Sequence, residues 1–222
     1  GVFILLLRQL LHYPEVLMWE KMWLDAHQSF YHEIAGLLRF LDPAYEVGLG
    51  IWQVINTYNP YLRAQYDQSD YAEYADWLKP VLYHTPAGAR FAKFAESWQK
   101  GVLADATPDG AFNALANILG LEEFVAPREE SPMAGFKPEY VKRWTEKLIA
   151  QTGGRCKVYP GIGVGVGDGG DSKPITPEDI IAGVHAGFDG GASGVLISRN
   201  YSEAELRNVE AIGTALRQRG LI

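Results

Sequence analysis

Between Pro14 and Asp42-Pro43, the apolar residues Val16, Leu17, Trp19, Met22, Trp23, Phe30, Ile34, Leu37, Leu38 and Leu41 recur mostly three or four apart. That spacing predicts one long helix of about seven turns. Pro14 suits its first position, where a missing N–H costs nothing, and Asp42-Pro43 must end it. Ahead of it, Val2-Phe3-Ile4-Leu5-Leu6-Leu7 is apolar but stops at Arg8. Six residues cannot span a bilayer, and the run lacks a basic flank and a small-residue cleavage site, so it predicts a buried strand or the start of a helix.

Four later runs are rich in strand formers and show no clean polar alternation: 45–53 (YEVGLGIWQ), 78–84 (LKPVLYH), 156–164 (CKVYPGIGV) and 193–198 (SGVLIS). Strands covered on both faces have this character. Tyr71 to Asp76 reads as a short helix, and Ala87-Gly88 as a break in the chain. Residues 91–152 carry helical stripes at Phe91, Phe94 and Trp98, at Phe112, Leu115 and Leu119, and at Tyr140, Trp144 and Leu148. Within them, 122–138 has the composition of a surface loop. Thr176-Pro177-Glu178-Asp179 is a helix cap with acids in the first turn, opening a helix to about Asp189, and 203–219 is a final amphipathic helix.

Strands alternating with helices predict a parallel α/β sheet. An open doubly wound sheet and a barrel both fit. The loops after the strands carry nearly all the polar and aromatic residues, which favours a (β/α)8 TIM-barrel type. The expectation is a single partial barrel domain over 1–222, with about four parallel strands, surrounding helices and a helical insertion at about 91–152.

The chain has 222 residues, 47% hydrophobic and 21% charged, with 20 basic against 27 acidic side chains and a net charge of -7. An acidic, ordinary globular composition without a basic cluster argues against nucleic acid as partner. No stretch reads as a signal or transmembrane segment, so a soluble protein without a membrane partner is expected. The single cysteine, Cys156, excludes a disulfide framework. No histidine pair has metal-ligand spacing with an acid partner, so neither metal nor cofactor is expected. Aromatic residues make up 12% of the chain, including 6 Trp and 12 Tyr, enough for some to line a surface or pocket.

In parallel α/β folds the loops at the carboxyl ends of strands converge on the site. These ends supply Trp52, Asn59 and Arg63 after the first strand, Lys79, Tyr83 and His84 at the second, Tyr159, Asp168 and Asp171 at the third, and Ser198 and Arg199 at the fourth. Rings beside cationic, amide and phenol donors suit a sugar, whose C–H faces stack and whose hydroxyls need hydrogen-bond partners. Trp52, Asn59, Arg63, Lys79, Tyr83, Tyr159 and Arg199 are therefore candidate substrate-binding residues. Asp168, Asp171 and His84 are the candidate proton-transfer groups. The glycine run from Gly161 to Gly170 admits a phosphate-binding loop or a mobile lid.

The segments YPEVLMWEKMWLDAH, GLGIWQVINTYNPYLRAQYD, YADWLKPVLYH, VYPGIGVGV and ITPEDIIAGVHAGFDGGASGVLISRNYSEAELRNVEAIGTAL resemble uncharacterised bacterial proteins of the glycoside-hydrolase-like (β/α)8 barrel superfamily, over its carboxyl half. The resemblance implies a carbohydrate-active hydrolase acting on or binding a glycan, incomplete as given. It also implies a retaining pair of carboxylates about 5–5.5 Å apart at the ends of the fourth and seventh strands. The first would precede Gly1, and the seventh-strand stretch Tyr159-Pro160-Gly161-Ile162-Gly163 holds no acid, leaving Asp168 or Asp171. GASGVLISR, in turn, resembles the last strand of flavin- and phosphate-binding barrels, with Ser198 in place of a glycine. The alternatives are therefore a phosphate- or flavin-binding enzyme, or a non-catalytic carbohydrate-binding protein. A half-barrel would either stand alone or pair with its own copy to cover its open sheet edges.

Overall fold

The structure is a computed structural model and describes residues 1–51, 68–165, 170–198 and 202–222. The first apolar run is helix α1 (Val2–His12), with no residue buried. Pro14 cannot continue its hydrogen-bond ladder, and α2 (Glu15–Leu41) leaves at 78° to α1. One side of α2 docks on the segment before the second strand. Ala35 is buried in the larger core and Leu24 is buried as well, Arg39 donates to both carboxylate oxygens of Asp76 (3.2 and 3.1 Å), and the His32 ring meets Tyr74 edge-on at 4.4 Å. Asp76 also accepts the Val47 N–H at 2.7 Å. That bond first, and the Arg39 charge with it, hold its carboxyl below the ordinary range despite partial burial.

The strands are short: β1 (Gly48–Ile51), β2 (Trp77–Pro80), β3 (Lys157–Val158), β4 (Gly161–Gly163) and β5 (Leu196–Ser198). A 3-10 helix (Gln68–Glu73) precedes β2. They form a three-stranded sheet in the order β1-β2-β3 and a two-stranded sheet β4-β5, every pairing parallel, with one parallel bridge from Val81 to Gly161 between them. The expected TIM barrel is not formed. The chain is mixed α/β with two small sheets, whose paired runs of two to four residues give no closed ring of strands among the described residues. Pro160 stands between β3 and β4 and has no N–H to give a ladder; its carbonyl accepts from Leu196 N at 3.0 Å.

Between β2 and β3 run α3 (His84–Lys100), α4 (Pro108–Leu119), the single turn α5 (Ser131–Ala134) and α6 (Glu139–Gln151). They hold the larger core, where Phe91 meets Phe112 at 4.8 Å and Phe136 at 6.1 Å, and Tyr140 meets Phe136 at 5.1 Å. Two local expectations change here. Ala87-Gly88 does not break the chain but lies buried inside α3, because the α5 turn crosses so closely that a Cβ on Gly88 would sit 2.0 Å from the Ser131 carbonyl oxygen. The 122–138 stretch is not a plain surface loop either, since Phe124, Ser131 and Phe136 are buried and Val125 bridges Phe136.

A second, smaller core lies under β4, between α7 (Pro177–Asp189) and α8 (Leu206–Gln218), built on Ile162, Val164, Ile180, Val184 and Ile212. The Thr176 cap closes as a reciprocal box with Asp179, whose side chain also takes Lys173 Nζ at 2.6 Å. Burial pushes that carboxyl up, but Lys173 and the Thr176 donors outweigh it and hold it below its ordinary value. Tyr83 packs against both cores.

Candidate functional site

Lys79 and Tyr83, at the carboxyl end of β2, are the sequence-predicted residues that the fold brings together. Leu78 and Pro80 point into the core, so strand alternation turns Trp77 and Lys79 to the other face, where both are half-buried. Lys79 Nζ lies 6.0 Å from the centre of the half-buried Tyr83 ring, within cation–π range. Gly161 makes room for this pair. A Cβ there would lie 2.8 Å from Lys79 Cε and 3.2 Å from Ser198 Oγ. Ser198, at the end of β5, is buried, and its hydroxyl finds no partner among the described residues. The result is a ring and a cation side by side, with a glycine floor and a hydroxyl that no described residue satisfies.

Tyr159 lies apart from this pair. It stands edge-on to Trp77 at 5.9 Å, and with Glu46, Gly194, Val195 and Leu196 these rings wall a cavity of about 300 Å³. Trp77 and Glu46 were not among the predicted site residues; the two-residue alternation that puts Trp77 on the face of Lys79 is the signal that finds the first.

His84 opens α3 and is 3% exposed. Its ring lies against α7, where a Cβ on Gly183 would come 2.8 Å from Cε1, and its Nε2 has no partner among the described residues. Burial brings its pKa down to about 4, more than the nearby Asp179 carboxylate raises it, so the imidazole is neutral at pH 7. Asp171 is exposed, its carboxylate 4.0 Å from Lys93 Nζ. Trp52, Asn59, Arg63, Asp168 and Arg199 lie outside the described residues.

The glycine run has packing uses at two positions. Gly161 admits Lys79 and Ser198, and at Gly165 a Cβ would sit 1.8 Å from the Glu203 carbonyl oxygen. Among the described residues no group of three or more His, Cys, Asp or Glu side chains is placed to hold a metal ion. No single described helix is long and apolar enough to cross a membrane. No family model matches the chain, and neither a curated protein nor a solved structure matches it.

Proposed function

We propose that the protein binds a glycan where β2, β4 and β5 end, with Tyr83 as the stacking ring and Lys79 as the hydroxyl or carboxylate partner. The observation that carries this reading is the Lys79 ammonium 6.0 Å from the centre of the Tyr83 ring, both residues half-buried, with the Lys79 stem over Gly161. A sugar needs an apolar ring for its C–H face and a fixed donor at its rim, and an ammonium offers three donors. Partial burial limits the side-chain freedom that binding would cost.

Binding, rather than bond cleavage, is the part of the glycoside-hydrolase resemblance that this surface supports. Glycoside hydrolysis of the usual kind needs two carboxyl groups flanking the scissile bond. Among the described candidates, Asp171 instead pairs with Lys93 at the surface and His84 is enclosed, while Asp168 lies outside the described residues.

Calorimetric titration against neutral and uronate-bearing oligosaccharides tests the reading. Lys79→Met keeps most of the stem volume and should weaken binding about tenfold or more, the loss of one charge-assisted hydrogen bond. The absence of binding by the unaltered protein at millimolar sugar would sink the proposal, as would binding that Lys79→Met leaves unchanged.

A further inference from the structure

Among the described residues, the outward side of α2 has no occupant. Val16, Trp23, Phe30 and Leu37 fall at every seventh residue, with Trp19 and Phe40 between them in a register that also carries Ala26 and Glu33, and the six large apolar side chains are exposed. A seven-residue apolar repeat is the pattern of a helix that packs on another helix. The stripe cannot turn inward, because the opposite side of α2 is already committed: Leu24 and Ala35 are buried, Gln28 reaches Asp70 at 3.4 Å and Arg39 holds Asp76.

We propose that this stripe is the interface with a second copy of the same chain, α2 packing on α2 about a two-fold axis. Two observations select that occupant. The first is area: the exposed large apolar side chains of α2 lie between 39% and 83% exposed. With aromatic side chains of about 150–250 Å² each, they offer on the order of 1,000 Å², above the roughly 800 Å² per partner of a standard interface. A two-fold axis places the same apolar patch on both sides, so one stripe serves as its own complement. The second is charge. Helices that lie on anionic membranes carry a Lys- and Arg-rich polar face, whereas off the stripe α2 has Glu15, Glu20 and Asp25 against Lys21 and Arg39, in a chain of net charge -7. This inference does not depend on the glycan reading.

Sedimentation velocity of the full chain from 1 to 100 µM tests it, with the concentrations chosen to span about micromolar affinity. The expected species has twice the 24.6 kDa chain mass. Trp23→Glu with Phe30→Glu should return it to the chain mass with an unchanged circular dichroism spectrum. Leu37→Lys alone serves as a second, milder variant and should raise the dissociation constant about tenfold or more, the loss of one buried leucine contact. A monomer throughout the range overturns the proposal, as does a dimer that withstands both variants. So does a monomer that co-sediments with phosphatidylcholine vesicles, which would make the stripe a membrane face.

Discussion

Helices α2 and α3 carry similar apolar and aromatic stripes, yet they use them in opposite ways. In α3, Phe91 is 0% exposed and sits between Phe112 and Phe136; in α2, Phe30 is 56% exposed. The difference lies in what the chain places opposite each helix. Residues 101–151 return over α3 as α4, α5 and α6, and close packing there leaves room for glycine alone at position 88. No described residue returns over the outer side of α2, where a Cβ on Gly36 would meet nothing within 4 Å. The same kind of stripe is core in one helix and interface in the other.

Removing Phe91 should therefore be the most costly change. Phe91→Ala is expected to lose about 3–5 kcal/mol in urea unfolding, the usual penalty for emptying an aromatic core position.

Acid should act nearly as strongly on the enclosed side. His84 has a folded pKa of about 4 against 6.5 for the free side chain. The folded state therefore holds the imidazole neutral while the unfolded chain takes up a proton below pH 6.5. Stability is full above that pH and falls as the pH drops from 6.5 toward 4, by about 3 kcal/mol in all. Asp179, Lys173 and Glu139 are the charged groups that act on the ring, and the first and last favour its protonation. Urea midpoints at pH 7 and pH 4, with His84→Gln as reference, isolate this share; a slope that survives His84→Gln would assign it elsewhere.

Periodicity placed the apolar stripes but could not say which way they face. Pro14 and Asp42-Pro43 bound α2 because proline acts locally, and the Thr176 box was readable because a cap is made within four residues. The barrel expectation failed for a non-local reason. Apolar runs of six to nine residues predict full strands, but the ladders are only two to four residues long, and Pro160 splits the third run into two of them. Gly88 looked like a breaker because its reason for being glycine, the Ser131 carbonyl, lies 43 residues away. Of the site, Lys79 and Tyr83 were legible as a strand end, and Ser198 was named with them. That Tyr159 turns to Trp77, and that His84 is sealed under α7, depend on packing that no spacing encodes.

Smaller effects separate the two helices at their glycines. Gly88→Ala pushes a methyl into a backbone oxygen and should cost about 1–3 kcal/mol. Gly36→Ala, in open space within a helix, should instead gain about 0.5–1 kcal/mol. Thermal unfolding of the two variants side by side should move the midpoint in opposite directions; shifts of the same sign would blur the contrast.

Phe30→Ala is the smallest expected effect and the most direct test. In urea unfolding at submicromolar protein, where association is diluted away, it should change stability by less than about 0.5 kcal/mol, as substitutions at exposed positions do. A loss approaching the 3 kcal/mol or more expected of Phe91→Ala would mean that the α2 stripe is packed within its own chain, contrary to this account.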